Sequence, residues 1–155
     1  MSGSPYEVLE LVVEPRLVAG VRAQVTRGRV GQEFFRHLDQ VYAAAKAGAI
    51  ALDGQNIFIY RGCEGDQLTV DFCVGATTPF EATGAVEPYT TPSGRTAMVV
   101  HQGDYGGLPA ANAAIHAWCQ EHGRTLAGPS WEVYGHWYDD PALLRTEVYW
   151  LLAPG

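Results

Sequence analysis

The chain has 155 residues, of which 47% are apolar and 17% are charged, and its formal net charge is −7 at pH 7. These values are typical of one folded domain and exclude an intrinsically disordered chain. The acidic charge disfavours nucleic acid as a partner, and no run approaches the roughly 18 apolar residues that span a bilayer. Because the first residues do not resemble a secretory leader, we expect a cytoplasmic protein.

The first half of the chain predicts two strands, a helix and two further strands. The helix is expected at about 32–47, since Phe34 and Leu38 recur at helical spacing and Gly48 stands where a C-terminal cap belongs. Runs rich in Val and Ile predict strands at 7–13, 17–26, 55–61 and 67–75.

The second half repeats this order. A helix is expected from about Leu108 to His122, with Pro109 in its first turn and Gly123 after its end. The strands of this half are expected near 83–87, 95–102, 131–136 and 145–152.

Equivalent features of the two halves indicate an internal duplication, since the caps Gly48 and Gly123 are about 75 residues apart. The predicted fold class is α+β. Duplicated strand–helix–strand–strand units would form one antiparallel-rich sheet with two helices and a central cleft, a common place for ligands. We expect a single domain over residues 1–155, with internal repeats at about 5–78 and 79–155.

The cysteines and histidines predict neither a metal site nor a cofactor. Cys63, Cys73 and Cys119 are odd in number and lack the CxxC spacing of a zinc site. The histidines follow no ligand motif, and His116 and His122 are six positions apart, on different faces of the predicted helix.

Aromatic residues are concentrated near the end of the chain, where six occur within twenty positions: Trp131, Tyr134, Trp137, Tyr138, Tyr149 and Trp150. Glu132 lies among them on a predicted strand, where residues two apart share a face, so Glu132 and Tyr134 point together. A carboxylate walled by rings is costly to desolvate unless a partner offsets that cost. A flat cationic ligand can do so by charge pairing and cation–π contact. The alternative is a glutamate at the rim, in water, which is the usual place for this residue.

The second half of the chain resembles a known family. It is similar to the GyrI-like effector-binding domains in four segments, namely His101-Gln102-Gly103-Asp104-Tyr105, a helix carrying Trp118, Trp131-Glu132-Val133-Tyr134 and Arg145-Thr146-Glu147-Val148-Tyr149. The family includes gyrase-inhibitor-like proteins and the drug-sensing parts of some bacterial transcription regulators. The resemblance implies an aromatic pocket for amphipathic, often cationic compounds.

This resemblance also implies roles for single residues. Glu132 would lie at the pocket floor, Tyr105 would follow the glycine turn, and Tyr149 would be the tyrosine of the last strand. Glu147 shares a face with Tyr149, so both are candidate ligand-binding residues together with Tyr134. Each of these tyrosines has the alternative role of a core residue whose hydroxyl reaches water.

The internal repeat adds two candidates from the first half. Phe58 and Tyr60 occupy the positions that match Glu132 and Tyr134, and they would supply the opposite wall of the pocket. One half then offers an acid where the other offers a phenyl ring. No helix-turn-helix segment accompanies these motifs, so we expect neither direct DNA binding nor direct transcriptional control.

Two functions of different classes fit such a pocket. The first is a stand-alone binding or sensing protein for flat, hydrophobic, cationic small molecules, with a multidrug-type site. The alternative, implied by the resemblance, is a hydrolase that opens cyclopropane-containing DNA-alkylating natural products. Glu132 would then be the acid or base, and Glu147 or a tyrosine hydroxyl would orient water or substrate. The family name also suggests DNA gyrase as a protein partner.

Overall fold

The computed structural model describes residues 6–154, and its architecture is α+β, as predicted. Each strand pair of the two units described below is antiparallel. The elements along the chain are β1 (Leu9–Val13), β2 (Leu17–Thr26), α1 (Val30–Lys46), β3 (Leu52–Glu64), β4 (Gln67–Ala76), β5 (Glu87–Thr90), β6 (Gly94–Gln102), α2 (Leu108–His122), β7 (Leu126–Tyr134) and β8 (Arg145–Leu152).

The chain divides into two compact units. The first unit is Pro15–Pro92, and the second unit comprises residues 6–14 and 93–154. Strand order is β3–β4–β2–β5 in the first unit and β7–β8–β6–β1 in the second. The equivalent order around one helix in each unit confirms the predicted duplication of a strand–helix–strand–strand motif.

The edge strand of the second unit comes from the beginning of the chain. β1 pairs with β6 over the register from Leu9–Met98 to Val13–Gly94, whereas the predicted repeats at 5–78 and 79–155 grouped this strand with the first half. Side chains reinforce this pairing, because Glu10 forms ion pairs with both Arg95 and Arg124. The assignment of residues 1–155 to a single domain stays a prediction.

Aromatic rings fill the space between α1 and the strands of the first unit. His37 of α1 is stacked on Phe72, with ring centroids 4.9 Å apart, and Phe58 meets Phe72 edge-on at 5.0 Å. Phe34 contacts Phe58 at 5.6 Å. These contacts place Phe58 and Phe72, which are paired across β3 and β4, on the face that α1 covers.

Small aliphatic side chains fill the same space in the second unit. Four buried residues follow one stripe of α2 at helical spacing, namely Leu108, Ala111, Ile115 and Cys119. They pack on Ala97, Val99 and Val148 of the strands below. Gly123 ends α2 in the left-handed conformation, with φ of 65°, as its position in the sequence predicts.

Most element boundaries agree with the predicted ones to within two residues, whereas β3 and β7 begin earlier than predicted, at Leu52 and Leu126, and β5 lies later. The strand expected at 83–87 is found at Glu87–Thr90, as β5. It includes Pro88, which an edge strand tolerates because the missing N–H can face away from the neighbouring strand. β3 also continues to Glu64, so the turn before β4 is shorter than the predicted loop. Among residues 6–154, neither helix is long and apolar enough to cross a membrane.

Candidate functional site

The register of β7 against β8 assigns the candidate residues to two faces of the second unit. Glu132 pairs with Val148, which lies in the core beneath α2, so Glu132 and Tyr134 are on the helix-side face. Val133 pairs with Glu147, and this pair is therefore on the opposite face. Glu132 and Glu147 therefore belong to adjacent pairs of this register and point to opposite faces.

Glu132 is a buried carboxyl group with a tyrosine hydroxyl beside it. Only 7% of its surface is exposed, and the hydroxyl of Tyr134 donates a hydrogen bond to its Oε1 over 2.5 Å. The two residues are two positions apart on β7, which is why the strand brings them together. Tyr134 itself packs against the core under α2, so its hydroxyl is held at a fixed place.

Tyr105 supplies a second ring at this site. It begins a short 3-10 helix, Tyr105–Gly107, which Asp104 caps by accepting a hydrogen bond from the N–H of Gly106. The Tyr105 ring meets Tyr134 edge-on, with centroids 5.5 Å apart. Burial raises the pKa of Tyr105, so its phenol stays protonated at neutral pH and can donate a hydrogen bond.

A buried histidine holds the segment that carries Tyr105. The Nε2–H of His101 donates to the carbonyl of Asp104 over 2.7 Å, which leaves Nδ1 to accept from the hydroxyl of Tyr6 at 2.9 Å. The ring also fills the space above Gly107, where an added Cβ would lie 2.5 Å from Cε1. The glycine is therefore required for this close approach.

Glu147 and Tyr149 form a similar pair on the other face. The hydroxyl of Tyr149 donates to Glu147 Oε1 over 2.8 Å, and Arg145 binds the second carboxylate oxygen at 2.9 Å. Tyr149 is also stacked on Trp131, with centroids 5.1 Å apart and planes 6° from parallel. Glu147 and Glu132 do not share a face in this register, because neighbouring strand positions point to opposite faces, and the role of Glu147 in orienting water or substrate stays a prediction.

Phe58 and Tyr60 lie in the first unit, on the helix-side face of β3. Phe58 is buried in the aromatic core beneath α1, and Tyr60 is half-buried one pleat further along. These are the positions in the repeat that Glu132 and Tyr134 occupy in the second unit. Their role as a pocket wall stays a prediction, as do the ligand-binding roles of the other candidates.

Trp137 belongs near this site, although the motifs did not single it out. It lies in the connection between β7 and β8, its ring centroid is 6.3 Å from that of Tyr105, and 62% of its surface is exposed. The indole therefore offers open aromatic surface close to Tyr105. Its signal in the sequence was the density of aromatic residues, which does not specify a contact.

The family model for the GyrI-like small molecule binding domain matches residues 10–153. The chain therefore belongs to this family, and it contains a small-molecule binding domain. No curated protein sequence is significantly similar to it.

Solved structures share the fold at low sequence identity. The C-terminal domain of EcmrR is 18% identical with a TM-score of 0.81, and the match covers 97% of this chain and 99% of that domain. In the cryo-EM structure of EcmrR with DNA, the same match spans 58% of the EcmrR chain, so this sequence has little more than half its length.

Two further structures of similar size carry different descriptions. SAV2435 bound to tetraphenylphosphonium is 13% identical with a TM-score of 0.63, over 96% of this chain and 93% of that one. A hydrolase from Listeria innocua is 14% identical with a TM-score of 0.67, over 95% and 92%. At these identities the comparison establishes the shared fold.

Proposed function

We propose that this domain binds flat, hydrophobic cations, with Glu132 as the group that selects positive charge. The observation that carries the proposal is the buried Glu132 carboxyl group on the helix-side face of β7, which is hydrogen-bonded to Tyr134, whose ring in turn meets that of Tyr105. A carboxylate with 7% of its surface exposed has lost most of its water. Its attraction for a cation is correspondingly stronger than it would be in solvent.

The aromatic residues supply the rest of the binding energy. The ring of Tyr105 contacts that of Tyr134 at 5.5 Å and that of the exposed Trp137 at 6.3 Å. Ring faces attract cations and also cover flat apolar surfaces of many shapes. Such a site accepts varied molecules, because one carboxylate imposes the charge and the rings impose little geometry.

The description of a structural neighbour supports this ligand class. Tetraphenylphosphonium, which is bound to SAV2435, is a hydrophobic cation surrounded by phenyl rings. The ion is tetrahedral at phosphorus, but each phenyl ring offers a flat apolar face, so it is the first probe for the present domain. Its charge is permanent, so its binding reports the state of the protein and not its own protonation.

The test compares tetraphenylphosphonium with triphenylphosphine oxide, a neutral aromatic molecule, by isothermal titration calorimetry. Glu132→Gln keeps the shape of the side chain and an oxygen that accepts from Tyr134, but it removes the charge. We expect its affinity for the cation to fall by about 1–3 kcal/mol, and its affinity for the neutral probe to change little.

Glu147→Gln is the matched control. It makes the same chemical change next to a tyrosine two residues away, but on the opposite face and beside Arg145. We expect it to leave the affinity for the cation unchanged. Equal losses in both variants, or an equal loss for both probes in Glu132→Gln, would contradict the proposal.

The second candidate function is a hydrolase that opens cyclopropane-containing DNA-alkylating natural products. Its support is the 2.5 Å hydrogen bond between Tyr134 and Glu132, which gives one carboxyl group a partner for proton exchange, and the Listeria innocua neighbour described as a hydrolase. Since Glu147 is on the other face, Glu132 and Tyr134 would be the reacting groups. General acid or base catalysis contributes about 10²–10⁴-fold to a rate.

Product mass distinguishes the two functions. The protein is incubated with an electrophilic cyclopropane compound, and multiple turnovers are followed by mass spectrometry. Water added to the substrate by the wild type, and not by Glu132→Gln, would establish the hydrolase. Binding of the compound without a change in its mass supports the binding function.

A further inference from the structure

A second buried carboxyl group, besides that of Glu132, lies in the first unit, on the face of the strands opposite α1. Asp71 of β4 is fully buried and accepts hydrogen bonds from two arginines. Arg22 binds both carboxylate oxygens, through Nε at 2.6 Å and Nη2 at 2.9 Å, and Arg61 Nε donates to Oδ2 at 2.8 Å. Because Oδ2 is shared, the two guanidinium groups are side by side.

These arginines are fixed by further contacts with β5. The Arg22 guanidinium lies over the ring of Tyr89, 4.7 Å from its centroid, and Arg61 Nη2 donates to the carbonyl of Thr90 over 2.9 Å. Arg61 thus reaches from β3 across β4 and β2 to the edge strand β5. Long side chains held at several points lose little further freedom when a ligand binds.

An open cavity of about 410 Å³ on the surface borders both guanidinium groups at this edge. Its lining residues are Leu17, Arg22, Arg61, Pro88, Tyr89 and Thr90. The volume is within the range of small-molecule sites, and three of the six residues offer apolar or aromatic surface. The rest of the lining is dominated by positive charge.

Both arginines keep donors for a ligand. Among residues 6–154, neither Arg22 Nη1 nor Arg61 Nη1 has a hydrogen-bond partner. Two positive groups share one buried carboxylate, and Glu87, an exposed residue that accepts from the hydroxyl of Tyr89 at 3.3 Å, is the second negative group nearby. The guanidinium pair can accept a further anion at close range.

We propose that this cavity binds a small organic carboxylate with a flat apolar group. Its two oxygens bind the free Nη1 groups of Arg22 and Arg61, and its apolar part lies against Tyr89 and Pro88. A carboxylate matches adjacent guanidinium forks in the way that Asp71 already does. The site is separate from the Glu132 site in residues, unit and ligand charge.

Benzoate is the probe and benzamide is its neutral counterpart of the same shape. Titrations of ¹⁵N-labelled protein, followed by two-dimensional NMR, locate each probe and give its Kd. We expect benzoate to shift the amide signals of Tyr89 and Thr90 and benzamide to bind at least about tenfold more weakly, the loss expected for a charge-assisted contact. Equal Kd values, or shifts confined to other parts of the chain, would overturn the proposal.

Variants separate the arginine pair from general charge effects. Arg22→Gln leaves Asp71 paired with Arg61 and should weaken benzoate about tenfold or more, whereas Arg95→Gln removes an arginine of similar exposure that pairs with Glu10 in the second unit and should change nothing. Glu87→Gln removes the competing negative charge and should tighten binding several-fold.

A variant that leaves the buried ion pairs intact guards against loss of folding in Arg22→Gln. Tyr89→Leu keeps both arginines and Asp71 but removes the ring, and it should weaken benzoate several-fold with the NMR spectrum otherwise preserved. Unchanged benzoate affinity in Tyr89→Leu and in a folded Arg22→Gln would overturn the site.

Discussion

The two units use the same position of their repeat in different ways. In the first unit, Phe58 is part of an aromatic core with Phe34 and Phe72 beneath α1. In the second unit, the equivalent position is Glu132, which is equally buried but carries a carboxyl group. One unit therefore gains packing at this place, and the other accepts a polar group that costs free energy to bury.

The helices differ in the same sense. α1 presents large side chains such as His37, which is stacked on Phe72, whereas α2 presents Ala111, Ile115 and other small residues. The buried stripe of α2 contains no aromatic ring, and Tyr105 and Tyr134 pack at the border of this cluster. The first unit thus has an aromatic core at this place, and the second has a buried carboxyl group.

The largest expected effect is on the filled core. Phe72→Ala removes a fully buried ring that contacts both His37 and Phe58, and it should lower the free energy of unfolding by about 3–5 kcal/mol. Urea denaturation followed by circular dichroism measures this change. Phe35→Ala is the control, since this ring is 65% exposed and its removal should cost no more than about 0.5 kcal/mol.

A smaller effect is expected for the hydrogen bond that supports the polar position. Tyr134→Phe deprives Glu132 of a donor, and we expect the free energy of unfolding to fall by about 1.5–3 kcal/mol, the range for bonds to charged groups. Tyr149→Phe should cost less, about 0.5–1.5 kcal/mol, because Glu147 is more exposed and keeps Arg145. The reverse order would mean that the buried carboxyl does not depend on Tyr134.

Removal of the exposed Trp137 ring should weaken ligand binding only modestly. Trp137→Ala removes one aromatic contact from the site, so the affinity for tetraphenylphosphonium should fall by about 0.5–1.5 kcal/mol while stability is unchanged. Calorimetry gives the affinity, and thermal unfolding checks the stability. If the affinity is unchanged, Trp137 does not contact the ligand, and the aromatic part of the proposed site consists of Tyr105 and Tyr134.

The last prediction concerns the pH dependence of the filled core. Burial lowers the pKa of His37, and its Nδ1 has no hydrogen-bond partner among residues 6–154. The unfolded chain therefore binds this proton at a higher pH than the folded one, so the stabilisation is complete above the unfolded pKa of about 6.5 and is lost as pH falls below it.

Urea denaturation at pH 7.5, 6.5 and 5.5 measures this dependence, and His37→Phe is the variant to compare. It keeps a ring against Phe72 but cannot take up a proton. The decrease in stability between pH 7.5 and 5.5 should be smaller in the variant than in the wild type. An identical decrease in both proteins would show that His37 binds its proton at the same pH in the folded and in the unfolded chain.

Local patterns predicted much of the fold. The helix at Leu108–His122 and the strand at Arg145–Leu152 have the predicted limits, because caps and apolar periodicity act over a few neighbouring residues. The same short-range alternation correctly placed Glu132 and Tyr134 on one face of β7. Information of this kind is contained within a single element.

Relations between elements required the tertiary structure. The pairing of β1 with β6, the placement of Glu147 opposite to Glu132, and the grouping of Asp71 with arginines from two other strands all depend on which strands pair and in what register. A shift of one residue reverses every face of a strand, and no local pattern in one strand specifies its partner. The sequence by itself determined the elements and the chemistry they carry, and the packing of strands decided which of these groups meet, because pairing is fixed by long-range burial and hydrogen bonding.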